Sequence, residues 1–106
     1  MNHLEAKNRR ALRSQVWEMS GGRCEHPVEE GRCREPATEL AHIHPRGMGH
    51  KGARDYLGNV MAACPLHARS TDDLSSSEWQ WVDGGRDGLA ATVAARRASE
   101  GFDVHD

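Results

Sequence analysis

The sequence has few large apolar side chains. Of its 106 residues, 37% are hydrophobic, and phenylalanine and tyrosine occur once each. A chain of this length is expected to form one domain, and so few large side chains can bury only a modest core. Small domains often gain stability from disulfides, metal ions or oligomerisation. We therefore predict a single small domain that depends on one of these aids.

Long hydrophobic runs are also missing. No stretch is apolar enough to span a bilayer, and the first residues lack the apolar segment of a signal peptide. These absences predict a cytoplasmic protein with no membrane partner. Cysteines stay reduced in the cytoplasm, where they more often bind metal than form disulfides. The Cys-x-x-Cys motif is absent, which argues against a thiol-redox function.

The net charge of −2 conceals two unequal parts. Residues 1–69 carry eleven Lys and Arg against eight Asp and Glu (+3), and residues 70–106 carry three against eight (−5). Twelve of the fourteen basic residues are arginines, which suit bidentate phosphate contacts. The basic part therefore permits nucleic-acid binding, although ordinary solvated surface is the alternative for any single arginine.

Hydrophobic periodicity predicts a helix near the N-terminus. Leu12, Val16 and Met19 fall on one face of a helix over residues 4–20. The Ser-Gly-Gly sequence at 20–22 is a typical helix end.

The C-terminal part is predicted to be a helical extension over about 75–100. Residues 86–99 are rich in alanine and have high helix propensity. Ser75 with Glu78 three residues later predicts a capping box.

The middle of the chain is richer in turn residues. Residues 23–38 contain two prolines and a glycine and are predicted to be a loop. Residues 38–44 alternate weakly between apolar and polar, which predicts a short strand. The remaining predictions are a turn over 45–52, a second strand before or within 55–57 and a helix that starts within 58–70 with Asn59 as its N-cap. Pro65 would end or kink this helix, or lie early in a second one.

The cysteines predict a metal site. Cys64 and His67 form a Cys-x-x-His pair, and with Cys24 and Cys33 they make a Cys₃His set, the composition of a closed structural zinc site. The gap between Cys24 and Cys33 is wider than usual, so His26 could compete as a ligand. The alternative is three unrelated buried cysteines, but a small core that needs a metal favours structural zinc.

The order of these residues resembles the HNH endonuclease family. The matching parts are Cys33, the sequence "PATELAHIHPRGMG", Asn59, and the pair Cys64 and His67, within residues 23–73. The resemblance implies an α+β fold, with a small zinc-stabilised ββα-metal domain between N- and C-terminal helices. It also implies the cytoplasm of a bacterium or of an infected host cell, since such proteins occur in bacteria and their phages.

The resemblance also implies a function, metal-dependent hydrolysis of DNA. His42 would be the general base that takes a proton from water, and Asn59 would orient the hairpin or bind the catalytic ion. Mg²⁺ or a similar divalent ion would stabilise the charged transition state. Arg46 could hold a phosphate, and the glycines beside it would let DNA approach closely.

Two positions depart from the family pattern. The residue before the base is usually a metal ligand, and here it is Ala41; the residue after the second knuckle ligand is usually histidine, and here it is Ala68. Nearby side chains could replace these ligands, and alternate residues of a strand share a face, which places His44 with His42. The candidates are His44, His50, Asp72 and Asp73, and the simpler alternatives are exposed turn histidines and a helix cap.

A second function therefore stays open. The chain could be a zinc-stabilised module that has lost the chemistry and binds DNA, or a protein partner in a packaging or replication complex. Ala41 and Ala68 favour this module, whereas His42, Asn59 and the glycine-rich turn favour the nuclease. The nuclease is the preferred prediction.

Overall fold

The computed structural model describes residues 3–45 and 55–102 and has an α+β architecture. The described residues form three helices and two antiparallel sheets of two strands each. The elements are α1 (His3–Ser20), β1 (Pro27–Val28), β2 (Gly31–Arg32), β3 (Glu39–His42), β4 (Val60–Ala63), α2 (Pro65–Ser70) and α3 (Gly85–Ser99). None of the described helices has the length and apolar character needed to cross a membrane.

Helix α1 confirms the prediction for the N-terminal part. Leu12, Val16 and Met19 are all buried on its inner face. The helix ends because Gly21 and Gly22 both adopt positive φ angles, of 67° and 76°, which other residues rarely tolerate.

The segment after α1 was predicted to be a loop, but it contains the short hairpin β1–β2. The guanidinium of Arg32 ties this hairpin to α1. It donates hydrogen bonds to the carbonyl oxygens of Ser20 at 2.6 Å and Cys24 at 2.9 Å. Arg32 therefore satisfies a free carbonyl at the end of the helix and fixes the backbone beside a predicted metal ligand.

Strands β3 and β4 form the middle layer of the fold. They pair antiparallel, from Glu39 opposite Ala63 to His42 opposite Val60. All four residues of β4 are buried, whereas β3 is only partly covered. His42 is therefore the last residue of a strand whose partner is fixed in the core.

The predictions for residues 55–70 were wrong in two respects. A 3₁₀ turn occupies Leu57–Asn59, so the second strand does not lie within 55–57; its other placement, before residue 55, and most of the turn predicted over 45–52 lie outside the described residues. A strand follows at Val60–Ala63, where the helix was expected to begin. The helix itself begins at Pro65, in agreement with the alternative that places this proline early in a second helix. A short apolar run that is buried on both faces has no alternation, so its periodicity cannot separate strand from helix.

The two faces of the β3–β4 hairpin pack against different helices. One cluster joins the hairpin to α2 and α3, and its members are Ala41, Ile43, Met61, Ala63, Ala68, Leu89 and Val93. The other joins the hairpin to α1, and its members are Leu12, Val16, Met19, Leu57, Val60 and Ala62. The small core is thus divided into two thin layers, one on each side of a two-stranded sheet.

The C-terminal helix is confirmed as α3, but the predicted capping box is wrong. Ser76, not Ser75, accepts the hydrogen bond from the backbone N–H of Glu78, and the element that it caps is a 3₁₀ turn over Ser77–Trp81. Ser75 instead donates to Asp73. Three consecutive serines offer competing caps, and the sequence pattern alone did not select among them.

A buried ion pair attaches α3 to the rest of the fold. Arg97 and Glu25 are 1% and 2% exposed, and the Nε and Nη2 atoms of Arg97 donate to the two carboxylate oxygens at 2.8 Å each. Arg97 also donates to the carbonyl oxygens of Leu57 and Val60, and Glu25 accepts from the backbone N–H of Ala62. This bidentate pair was not predicted, because an arginine in a polar helix normally points to solvent.

Candidate metal centre and hairpin site

Four side chains gather at a buried centre that could hold a metal ion. The ligand atoms of Cys24, Cys33, Cys64 and His67 all lie within 4.8 Å of one another. Nδ1 of His67 is 3.3 Å from Sγ of Cys24 and from Sγ of Cys64. Tetrahedral coordination with bonds of about 2.0–2.3 Å separates ligand atoms by about 3.6–3.8 Å, so the observed spacings bracket the required one.

The chain topology explains why these residues meet. Cys24 and Cys33 flank the hairpin β1–β2, so antiparallel pairing brings them together despite the long gap between them. Cys64 follows β4 and is the N-cap of α2, and Pro65 starts the helix with the φ that a first helical residue needs. One helical turn later, His67 faces the same point.

Burial controls the protonation of the free thiols. Burial raises the pKa of the Cys24 thiol to about 12 and also raises the pKa of Cys33. Buried thiols of this kind are protonated at neutral pH unless a cation stabilises the thiolate. The described cysteines form no disulfide, so the donor set fits a bound divalent cation.

Glu78 orients the histidine of this centre. Nε2 of His67 donates to Oε1 of Glu78 at 2.7 Å, which leaves the lone pair of Nδ1 directed at the cysteines. A carboxylate in this position selects the tautomer and the ring orientation of a metal-binding histidine. The sequence pattern had marked Glu78 only as part of a capping box, so this contact was missed.

His26 lies next to the centre but outside the group of four. Its ring stacks on that of His67 with centroids 4.1 Å apart, and its Nδ1–H donates to the carbonyl oxygen of Pro27 at 2.7 Å. It is fully buried, and burial lowers its pKa to about 4, so the ring is neutral at physiological pH. The described geometry therefore places His26 as a packing partner of His67.

A second constellation lies at the end of β3, around His42. Nε2 of His42 is 2.6 Å from Oδ1 of Asp55, and Nη2 of Arg9 approaches Oδ2 of the same carboxylate at 3.8 Å. The side chains of His42 and Asp55 remain 18% and 14% exposed. Asp55 is thirteen residues from His42, and no motif in the sequence marked it as part of the site.

The side chain of Asn59 forms hydrogen bonds with the backbone just after the end of β3. Its amide is buried, its Oδ1 accepts from the backbone N–H of His44 at 2.8 Å, and its Nδ2 donates to the carbonyl oxygen of His44 at 3.0 Å. The backbone N–H of Ile43 donates to the carbonyl oxygen of Asn59. These bonds agree with an orienting function of Asn59, not with the N-cap that the sequence predicted.

His44 does not share the face of His42, contrary to the prediction from strand alternation. Its Nε2 lies 2.9 Å from Oδ1 of Asp87 on α3, whereas His42 pairs with Asp55, whose other carboxylate oxygen faces Arg9 on α1. The alternation fails because β3 ends at His42 and the chain bends directly afterwards.

A cleft of about 270 Å³ runs beside His42, between β3 and the end of α2. Its lining residues are Glu39, Leu40, Ala41, His42, Pro45, Ala68, Thr71 and Asp72. Both alanines that replace the expected metal ligands are therefore in its wall, and they are 7% and 8% exposed because they also pack in the core.

The candidates for a second metal site are only partly brought together. Glu39, His42 and Asp72 line the cleft, but among the described residues the Cys₃His centre is the one group of three or more potential ligands within coordination range. Asp73 is exposed and accepts from Ser75. Arg46 and His50 lie outside the described residues.

Neither a known family, nor a curated protein, nor a solved structure matches this chain. Two places in the fold carry side chains whose chemistry bears on function. They are the buried Cys₃His centre and the His42–Asp55 pair beside the cleft.

Proposed function

We propose that the protein is a zinc-stabilised DNA endonuclease of the HNH type, with β3, β4 and α2 as its ββα unit. The observation that carries the proposal is the contact of His42 with Asp55 at the edge of an open cleft. A histidine whose second nitrogen is held by a carboxylate is the usual arrangement of a general base.

Zinc is the proposed ion of the Cys₃His centre. Three thiolates and one imidazole form a closed tetrahedral set, whereas Mg²⁺ and Ca²⁺ take oxygen ligands. The centre joins the β1–β2 hairpin to β4 and α2, so the ion would stabilise the fold and leave the chemistry to other residues.

Asp55 supports the proposed mechanism by selecting the tautomer of His42. When Nε2 donates its proton to Oδ1 of Asp55, Nδ1 carries the lone pair, and no group in the described part of the chain bonds Nδ1. Nδ1 accepts a proton from water as the water oxygen forms a bond to phosphorus. The bond from phosphorus to the 3′ oxygen then breaks, and the leaving oxygen takes a proton from solvent.

A catalytic divalent ion is implied by the family resemblance, but the described residues do not fit one well. Ala41 and Ala68 offer no ligand, and the carboxylates of Glu39 and Asp72 do not form a coordination group with His42. We therefore assign no step to such an ion, and cleavage assays with added ions address the requirement directly.

Plasmid cleavage tests the proposal. Wild-type protein with zinc content verified by elemental analysis is assayed with Mg²⁺, Mn²⁺ and Ni²⁺, beside His42→Ala and the matched control His44→Ala. We expect His42→Ala to lose cleavage and His44→Ala to retain it, because the ring of His44 binds Asp87 on α3. Equal cleavage by wild type and His42→Ala would contradict the proposal that the protein is an endonuclease.

The alternative function is a binding module without chemistry, which contacts DNA or a protein partner in a packaging or replication complex. The specific support is that Ala41 and Ala68 both stand in the wall of the cleft, where ligands of a catalytic ion would be needed. This alternative predicts stoichiometric zinc and no cleavage with any of the three ions. The same plasmid assay therefore separates the two functions.

A further inference from the structure

One side of α1 carries a stripe of basic and aromatic residues that the core does not use. Arg9, Arg13 and Trp17 follow one another at intervals of four, so their side chains lie on one face of the helix. This face borders the buried one, which contains Leu12 and Val16. The stripe therefore lies along the edge of the interface between α1 and the β3–β4 hairpin.

Arg9 lies at the end of the stripe nearest the proposed active site. Its Nη2 atom is 3.8 Å from Oδ2 of Asp55, longer than a hydrogen bond, and its side chain is 29% exposed. Its Nε atom is buried and has no hydrogen-bond partner among the residues that the structure describes. The exposed part of the guanidinium is the part that an incoming anion could contact, and the long distance to Asp55 leaves Nη2 able to donate to it.

Arg9 also changes the electrostatics of the general base. Asp55 is needed to hold His42, but its negative charge would repel a phosphate at the same place. The guanidinium of Arg9 beside the other carboxylate oxygen compensates for that charge. A phosphodiester could then approach His42 without facing an unbalanced carboxylate.

The guanidinium of Arg13 packs over the ring of Trp17, one helical turn further along α1. Its Cζ atom lies 4.1 Å from the centroid of the Trp17 ring, and the side chain is exposed. A cation over an aromatic face keeps its guanidinium edge available for hydrogen bonds. The residue is thus ordered in advance for a phosphate contact.

The orientation of the hairpin places His42 on the same side as the stripe. His42 is opposite Val60 in the sheet, and Val60 packs in the cluster that contains α1. Helix α1 carries four basic residues against two acidic ones, in contrast to the acidic C-terminal part of the chain. The basic helix α1 and the proposed base therefore lie on the same side of the β3–β4 hairpin.

We propose that Arg9 and Arg13 bind neighbouring phosphates of a DNA strand and present the next phosphate to His42. The inference rests on the proposed function for the position of the scissile phosphate, but the DNA contact can be tested without cleavage. It assigns backbone recognition to α1, whereas the sequence had suggested Arg46 for a phosphate contact.

The test is binding of a short fluorescein-labelled DNA duplex, followed by fluorescence anisotropy over a range of salt concentrations. The proteins carry His42→Ala so that cleavage cannot interfere. Each lost phosphate contact should reduce the slope of log K against log salt concentration by about 0.9. We expect this change in Arg9→Gln and in Arg13→Gln, and about twice the change in the double variant.

Arg34→Gln is the matched control. Arg34 is exposed and lines a different groove, with Arg32 and Glu100 on the side of α3. It loses the same charge as the stripe variants, so we expect its salt slope to equal that of the parent protein. The inference would be overturned if Arg9→Gln, Arg13→Gln and Arg34→Gln all gave the same salt slope, or if the parent protein with His42→Ala did not bind the duplex.

One further variant and one further measurement separate phosphate recognition from effects of charge and of folding. Arg9→Lys retains the cation and should keep the salt slope, while thermal melting checks that Arg9→Gln is folded despite its contact with Asp55. If Arg9→Gln unfolds, Arg13→Gln decides the result, since the described contact of Arg13 is with Trp17 on the surface of its own helix.

Cleavage by wild type is scored separately. Changed slopes without any cleavage by wild type would support the DNA contact and contradict the endonuclease. Cleavage by wild type with unchanged slopes would support the endonuclease and overturn the assignment of Arg9 and Arg13.

Discussion

His26 and His67 show how two residues of the same type, buried in direct contact, can have different functions. Both rings are enclosed and they stack on each other, yet only His67 directs a nitrogen at the cysteines. The sequence could not choose between them, because both lie within a few residues of a cysteine. The deciding contacts are Pro27 for one ring and Glu78 for the other.

Substitution of these two histidines tests the metal centre. We expect His67→Ala to lose the bound ion, since three cysteines remain and the closed set is broken. His26→Phe should keep one zinc per chain and the ring stack, and lose about 0.5–1.5 kcal/mol of stability with its hydrogen bond to Pro27. Elemental analysis and thermal melting measure both effects. A folded His26→Phe protein without zinc would place His26 among the ligands.

Asp55 is a second residue whose importance comes from a contact between distant segments, the one with His42. In Asp55→Asn the amide can donate to Nε2 of His42, which moves the ring proton to Nδ1 and removes the lone pair that accepts the proton of water. We expect plasmid cleavage to fall by about 10²–10⁴-fold, the usual contribution of general-base catalysis. Asp73→Asn is the control, because Asp73 is exposed and binds Ser75. Unchanged cleavage in Asp55→Asn would show that Asp55 does not orient the base.

Among the elements, the two long helices and β3 follow their sequence patterns, whereas β1, β2 and β4 do not. Helix α1 has a 3.6-residue apolar period, and α3 combines high helix propensity with Leu89 and Val93 on one face. Strand β4 has four buried residues and no alternation, so only its pairing with β3 defines it. Short strands depend on distant partners, whereas helices are specified locally.

The anchoring of α3 through Arg97 predicts a large effect on stability. Arg97→Met removes the bidentate contact with the buried carboxylate of Glu25 and leaves it the contact with Arg96, so we expect a loss of about 1.5–3 kcal/mol in the free energy of unfolding. The exposed Arg34→Met is the control and should change stability by less than about 0.5 kcal/mol. Urea denaturation measures both.

A double variant separates charge burial from lost packing. Glu25→Gln keeps an acceptor for the backbone N–H of Ala62 but removes the charge. Combined with Arg97→Met, it should be less destabilising than the sum of the two single changes, because no unpaired charge remains. Strict additivity would mean that the ion pair has no special contribution.

At the scale of the whole molecule, the metal centre connects parts that share little hydrophobic contact. The two apolar clusters lie on opposite faces of the β3–β4 hairpin, and the three cysteines form a separate cluster beside them. An ion at this place would hold the β1–β2 hairpin against α2. Coordination bonds to such an ion would supplement the modest core expected from the composition.

Removal of the metal should consequently unfold much of the protein. Structural zinc sites in small domains contribute about 10–16 kcal/mol of apparent binding free energy, comparable to the stability of the domain. We expect a chelator to abolish the cooperative thermal transition and the near-ultraviolet circular dichroism of the tryptophans, and added zinc to restore both. An unchanged transition after verified metal loss would show that the centre is not structural.

The sequence by itself determined the two long helices, the three cysteines of the candidate metal centre and the position of His42 at the end of a strand. These features depend on local periodicity, on the chemistry of cysteine and histidine, and on motif spacing. Only the tertiary structure decided which histidine joins the cysteines, that Asp55 holds His42, that Arg97 pairs with Glu25 and that residues 60–63 form a strand. Each of these depends on contacts between segments distant in the chain, and no local pattern encodes which distant side chain will lie opposite.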